Sequence, residues 1–112
     1  MKKSEINFTV HLDAQNVPET IHWEATDNPT GKREATKAIA LSVWDIKQKN
    51  TMRIDLWTKD MQVDEMKMFF IETIAGLSQT IITSTGDEYM GTEMKELVKK
   101  LVKHVEEENK KQ

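Results

Sequence analysis

The chain changes its hydrophobic period within the stretch Arg53-Ile-Asp-Leu-Trp-Thr-Lys-Asp-Met-Gln-Val-Asp-Glu-Met66. In its first part, apolar residues such as Ile54 and Leu56 alternate with polar ones, as they do in a strand with one buried face. From about Gln62 the apolar residues recur every three or four positions, which is the spacing of one helix face. The stretch therefore predicts a strand that leads directly into a helix.

Four segments of alternating residues predict two antiparallel hairpins before this helix. The segments cover about residues 5–12, 19–25, 38–46 and 51–58. In the first hairpin, pairing Val10 with Ile21 keeps the apolar side chains on one face. The same register sets Phe8 opposite Trp23.

The second hairpin is centred on a predicted turn at Lys47-Gln-Lys-Asn50. Its predicted cross-strand pairs are Leu41 with Leu56, Val43 with Ile54, Trp44 with Arg53, Ser42 with Asp55 and Ala40 with Trp57. The polar connection 26–36 joins the two hairpins. It is long enough for a crossover and has room for a helical turn around residues 32–37.

Two helices are predicted after the strands, over about residues 62–84 and 88–107. Asp60 is a candidate cap for the first helix, and Gly86 is a suitable residue to end it. Asp87 or Thr92 starts the second helix. Three glutamates at positions 106–108 lie at the helix end where the dipole disfavours negative charge, so the tail is expected to fray.

These elements together predict an α+β fold. We expect a four-stranded antiparallel sheet of two hairpins, followed by two C-terminal helices packed on one face, in a single domain of residues 1–112. A chain of this length can bury a core without covalent staples. Because cysteine is absent, disulfides and thiolate metal sites are excluded.

The charge pattern excludes some classes of partner. Sixteen basic and nineteen acidic residues give a formal net charge of −3, and the two signs are interleaved. Nucleic-acid binders usually carry a basic face or stripe, so we expect no nucleic-acid partner. No apolar leader and no run of membrane-spanning length is visible, which predicts a cytoplasmic protein without membrane insertion.

Reactive side chains form no recognisable catalytic or metal-binding set. His11 and His22 are predicted to lie diagonally across the first hairpin, with Asp13 and Glu24 as possible oxygen ligands, but no third ligand has motif spacing. A nucleophilic site needs a hydroxyl beside a histidine, and Ser42 has none predicted nearby. We therefore expect no enzymatic activity and no cofactor.

The second face of the 38–58 hairpin is the best candidate for a partner surface. It carries Ala40, Trp44, Arg53, Asp55 and Trp57. Tryptophan and arginine are the residues that most often anchor protein interfaces, and Trp44 over Arg53 can form a cation–π pair. Two interpretations stay open: the face binds a partner, or the chain's own helix or the 26–36 connection covers it.

Four segments of this chain resemble the gliding motility-associated protein GldC family of gliding bacteria. They read Val17-Pro-Glu19, Leu41-Ser-Val-Trp-Asp45, Ile54-Asp-Leu-Trp-Thr-Lys-Asp-Met61 and Val63-Asp-Glu-Met66. The resemblance implies a small accessory protein of bacterial gliding motility without established enzymatic activity. It also implies work alongside other gliding-motility components, and it supplies no catalytic residues to carry over.

Three hypotheses of biochemical function follow. The first is a non-enzymatic protein-interaction module, whose partner is another gliding-motility component or a second copy of the chain. The second is a holder of unfolded or exported chains, because four strands followed by two helices is also the order in the SecB chaperone, an analogy of architecture only. The third is a small-molecule or metal binder.

Overall fold

The structure is a computed structural model that describes residues 2–111. Within these residues the chain forms five strands followed by two helices, which confirms the predicted α+β fold. The elements are β1 (Ile6–Leu12), β2 (Pro18–Ala25), β3 (Glu34–Thr36), β4 (Ala38–Trp44), β5 (Thr51–Trp57), α1 (Val63–Thr85) and α2 (Glu88–Lys110). The chain divides into two compact units, one ending at Met61 and one beginning at Gln62, which are described in turn. Packing of the helices on the sheet stays a prediction.

The β1–β2 hairpin has the predicted register. Val10 lies opposite Ile21, and Phe8 lies opposite Trp23. Ile21 is only 1% exposed, so it forms the centre of this unit's core. The pairing confirms that alternation alone was sufficient to set the register here, because a slip of one residue would turn Ile21 to the other face.

The connection between the hairpins differs from the prediction, because it contains strand β3 and not a helical turn. Strand β3 pairs antiparallel with β2, with Thr36 opposite Ile21 and Glu34 opposite Trp23. The second edge of β2 carries backbone groups that need partners, and this short segment supplies them. The strands consequently form two sheets, in the orders β1-β2-β3 and β4-β5, in place of one four-stranded sheet.

Strands β4 and β5 form the predicted antiparallel hairpin, but the predicted register is wrong by two residues. Leu41 lies opposite Ile54, and Ser42 lies opposite Arg53. The turn begins at Asp45, whose carboxylate accepts a hydrogen bond from the Gln48 N–H at 2.6 Å. A shift of two residues leaves every side chain on its predicted face.

The N-cap of helix α1 lies two residues after the predicted cap, and the helix ends at the predicted residue. Its N-cap is Gln62, whose N–H donates to the Glu65 carboxylate at 3.3 Å. The candidate cap Asp60 instead accepts a hydrogen bond from the Thr58 hydroxyl at 2.6 Å. Gly86 ends the helix with a left-handed φ of 76°, and its N–H donates to the Ile82 carbonyl at 2.8 Å.

Helices α1 and α2 approach each other closely at Gly91. A Cβ built on this buried glycine would overlap the Ile82 side chain and lie 3.0 Å from the Ser78 carbonyl. Asp87 caps α2 by accepting from the Met90 N–H at 2.9 Å. Helix α2 continues to Lys110, three residues beyond its predicted end at about residue 107, and fraying of the tail stays a prediction.

Candidate functional site

The candidate site is one face of the β4–β5 hairpin. Strand pleating sends the even-numbered residues of β4 and the odd-numbered residues of β5 to the same side. All five residues of the predicted partner surface therefore share this side, which we call the indole face: Ala40, Trp44, Arg53, Asp55 and Trp57. The structure brings the predicted site residues together on one surface.

Arg53 is held at the centre of the indole face by two hydrogen-bonding neighbours. Its Nη2 lies 2.7 Å from Asp55 Oδ1 and its Nε lies 3.3 Å from Asp55 Oδ2. Its Nη1 also donates to the Ser42 hydroxyl on the opposite strand. A two-point guanidinium–carboxylate contact fixes the orientation of both side chains. The face thus presents a rigid polar patch.

The two-residue shift in register changes which residues are neighbours on this face. Trp44 lies opposite Thr51 and not opposite Arg53, so the predicted direct pairing of these two residues is wrong. Ala40 lies opposite Asp55, and Trp57 lies opposite Ala38. An alanine therefore lies across from each of Asp55 and Trp57. Because alanine is small, it leaves the Asp55 carboxylate and one side of the Trp57 ring uncovered.

Both tryptophans of the indole face are exposed to solvent. Trp44 is 67% exposed and Trp57 is 52% exposed. The 26–36 connection, which belongs to the same unit, therefore leaves both indoles exposed, and covering of this face by a helix stays a prediction. Exposed tryptophans beside a fixed ion pair are the chemistry of a protein-binding surface, because an indole contributes a large apolar area and one N–H donor.

The opposite side of the same hairpin also exposes apolar side chains. We call it the aliphatic face: Leu41, Val43, Met52 and Ile54, which are 36%, 53%, 54% and 53% exposed. The alternation predicted these residues to be buried. Periodicity reports which side chains share a face, but it does not report how completely that face is covered.

The two histidines of the first hairpin lie close together without forming a metal site. Their rings are edge-on, with centroids 6.4 Å apart, as the predicted diagonal placement requires. His11 Nδ1 lies 3.3 Å from the Thr20 hydroxyl. Across residues 2–111 no group of three or more histidine, aspartate or glutamate side chains could hold a metal ion. The metal-binding hypothesis gains no support from this geometry.

Sequence reasoning missed an ionic cluster that links the end of β5 to the β1–β2 hairpin. Lys59 Nζ lies 3.2 Å from both Asp13 Oδ2 and Glu19 Oε1. The backbone N–H of Lys59 donates to the Pro18 carbonyl. The Val17 and Gln15 N–H groups, together with Lys59, lower the pKa of Asp13. The hydrogen bonds to Asp13 and Glu19 raise the pKa of Lys59. The cluster fixes the loop at the start of β2, and no local pattern links residues so distant in sequence.

The helical unit contains a shallow apolar groove between its own two helices. Its lining includes Phe70, Ile74, Leu101 and Val105. The groove has a volume of about 280 Å³. Lys67 and His104 also line it, but the surface that faces the groove is apolar, so the small-molecule hypothesis stays a prediction.

No helix in the described part of the chain combines the length and apolar character that crossing a membrane requires. A family model described as gliding motility-associated protein GldC-like matches residues 18–107, about four fifths of the chain. The match includes β2 to β5, α1 and most of α2, and so contains the whole indole face. No curated protein and no solved structure matches the chain.

Proposed function

Because the chain belongs to the GldC-like family of gliding motility-associated proteins, we propose that it is a non-enzymatic protein-interaction module of the gliding apparatus. The indole face is the proposed docking surface. Its partner is a protein, expected among the other gliding-motility components. The family membership supports the process, and the exposed indoles support the mode of action.

The observation that carries this proposal is the exposure of Trp44 and Trp57 around the fixed Arg53–Asp55 pair. A buried aromatic side chain covers roughly 150–250 Å², so each half-exposed indole offers about 100 Å² for burial. At about 25 cal/mol per Å², covering both indoles contributes roughly 5 kcal/mol before the cost of association. Two anchors of this size fit the usual pattern of a few dominant interface residues.

We expect Arg53 to influence which partner binds more than how tightly it binds. Its guanidinium already has two partners on the face, so docking over it does not leave a buried charge unpaired. A partner that offers a carbonyl or carboxylate oxygen can add to this network. We therefore expect the docked segment to be apolar with an acceptor group at its centre.

The test is affinity capture from a lysate of a gliding bacterium, with the captured proteins identified by mass spectrometry. Wild type should retain a gliding-motility protein that Trp44→Ala and Trp57→Ala lose at least tenfold. Tyr89→Ala is the matched control, because Tyr89 is an aromatic residue that is 74% exposed but lies on α2. Equal recovery by all folded variants would remove the proposal.

A second candidate function is favoured by the aliphatic face. A holder of unfolded or exported chains needs exposed aliphatic surface, and Val43, Met52 and Ile54 are each more than half exposed. The test is protection of a chemically denatured client from aggregation, measured by light scattering. Loss of protection in Ile54→Ser but not in Trp57→Ala would support this function, whereas no protection by wild type would exclude it.

The site of action belongs to the same proposal. We place it in the cytoplasm, where the interleaved surface charges suit contact with other proteins in water. Fractionation of cells that carry the chain with an epitope tag provides the test. Recovery of the tagged chain outside the cytoplasmic fraction would contradict this placement.

A further inference from the structure

Strand β4 leaves one edge without a strand partner. The Thr58 N–H donates to the Lys37 carbonyl, and the Asp45 N–H donates to the Asn50 carbonyl. Odd-numbered positions of this strand therefore bond toward β5, and even-numbered positions direct their backbone groups to the other side. Among residues 2–111, β4 pairs with β5 and with no further strand.

This edge lacks the protection that exposed sheet edges usually have. Strand β4 reads Ala38-Ile-Ala-Leu-Ser-Val-Trp44 and contains no charged residue and no proline. Natural proteins guard a free edge with charges, proline or bulges, because an unguarded edge pairs with other chains. Strand β5 differs, since it carries Arg53 and Asp55. The unguarded edge of the hairpin is therefore that of β4.

The outward backbone groups of β4 are symmetric about its middle residue. They belong to Ala38, Ala40, Ser42 and Trp44, and the midpoint of the strand is Leu41. An antiparallel copy of the same strand, related by a two-fold axis at Leu41, sets Ala40 opposite Ser42 of the second copy. The same axis sets Ala38 opposite Trp44 of the second copy. All four outward residues then fall in hydrogen-bonded pairs. The Ala38 carbonyl already accepts a hydrogen bond from the Thr36 hydroxyl at 3.2 Å, so the bond to the second copy would use its other lone pair.

The side chains fit this register on both faces. On one side the small Ala38 lies across from the large Trp44 indole of the second copy, and no like charges meet. On the other side Ile39 faces Val43, and Leu41 faces its own counterpart. The two aliphatic faces become one continuous four-stranded surface. A two-stranded ribbon is marginally stable alone, and added strands remove that weakness.

We propose that this chain forms a two-fold dimer in which β4 pairs antiparallel with β4 of a second copy, centred on Leu41. The dimer goes beyond the docking function assigned to the indole face, and Trp44 takes part in both. A strand-edge contact of this length is small beside a standard interface of about 800 Å² per partner. Dissociation on dilution is therefore expected in the range of about 1–100 μM.

The first test uses the absence of cysteine from the chain. In the proposed register Leu41 meets its counterpart in a non-hydrogen-bonded pair, with Cα atoms about 4.5 Å apart, which is within disulfide reach. Leu41→Cys should give a covalent dimer on mild oxidation. Ile54→Cys is the matched control, because Ile54 lies directly opposite Leu41 on β5. In the dimer, the two copies of position 54 would be separated by three strand spacings, about 14 Å, so Ile54→Cys should not crosslink.

Sedimentation of the unmodified chain completes the test. Wild type at 200 μM should have a weight-average mass well above the 13.0 kDa of the monomer, and this mass should fall toward the monomer value on dilution. Ser42→Pro removes an N–H from the free edge of β4 and should give a monomer. Thr51→Pro removes an N–H from the free edge of β5 and should stay dimeric. A monomeric wild type, or equal crosslinking of Leu41→Cys and Ile54→Cys, would overturn the proposal. The proposal would also be overturned if Leu41→Cys crosslinked only to an added extended peptide that carries a cysteine. The free edge of β4 would then bind a strand of another protein.

Discussion

The two helices share a close contact at a buried glycine, whereas the β4–β5 hairpin presents two opposite faces that are both exposed. The helices approach closely enough at Gly91 to exclude a methyl group, and Lys67 joins them through Glu108 at 2.8 Å. The hairpin leaves indoles exposed on one face and aliphatic side chains exposed on the other. The helices also expose large apolar side chains, among them Val63, Leu77 and Met90. What sets the hairpin apart is its pair of exposed indoles beside a bound guanidinium, which is why it is the proposed docking surface.

The largest loss of stability is expected from a substitution at the contact between the two helices. Gly91→Ala should lower the free energy of unfolding by about 2 kcal/mol, because the added Cβ overlaps the Ile82 side chain. Urea denaturation followed by circular dichroism measures the loss. Gly76→Ala is the control, since nothing lies within 4 Å of its added Cβ, and it should raise stability by about 0.5–1 kcal/mol. Equal effects of the two substitutions would contradict close helix packing.

A smaller effect is expected at the end of α1. Gly86 has a φ of 76°, a conformation that costs a residue with a Cβ about 1 kcal/mol. Gly86→Ala should therefore lower the free energy of unfolding by about that amount, and Gly86→Asn should lose less because asparagine tolerates this region better. Chemical denaturation of the three proteins gives the order. If alanine and asparagine were equivalent, the left-handed cap would be in doubt.

A pH-dependent effect is expected at the ion pair that joins the helices. The hydrogen bond from Lys67 lowers the pKa of Glu108 below 4.5, and His104 and Lys111 act in the same direction. A carboxyl whose folded pKa is depressed stabilises the fold above its unfolded pKa, and this contribution is lost as pH falls through the folded pKa. Lys67→Met should reduce the loss of stability on acidification through the range in which glutamates titrate, measured by urea denaturation at a series of pH values. Lys99→Met, which alters an exposed pair with Glu96, should leave the acid profile unchanged.

The smallest effect on stability is expected on the hairpin itself. Trp44 is 67% exposed, so Trp44→Ala should change the free energy of unfolding by less than about 0.5 kcal/mol. Thermal and urea unfolding of this variant against wild type measure the change. A loss of several kcal/mol would show that the indole is a structural residue, and the contrast between the two regions would fail.

The sequence predicted the elements better than their connections. The β1–β2 register followed from alternation, and the end of α1 followed from Gly86, because each depends on local physics. Strand β3 was missed because Glu34–Thr36 is too short to show a period. The β4–β5 register was wrong because the Asp45 carboxylate starts the turn earlier than predicted, a side-chain contact that alternation does not report. A lone glycine inside a helical pattern does not by itself predict the close helix contact, because Gly91 makes it and Gly76 does not.

The five residues of the indole face were predicted to share one side, and they do. Their exposure could not be predicted, because it depends on which distant segments cover them. The same limit applies to the Lys59 cluster, where residues 13, 19 and 59 meet only in the folded chain. Pattern reasoning orders side chains along an element, whereas the surroundings of a face are set by tertiary structure.

Site-specific photocrosslinking in gliding cells tests the central claim most directly. A photoreactive phenylalanine replaces Trp57 in one strain and Tyr89 in another, so that both probes are exposed but only one lies on the indole face. We predict that the probe at position 57 captures a gliding-motility protein as one discrete adduct and that the probe at position 89 does not. The same adduct from both positions, or no adduct from position 57, would contradict the account.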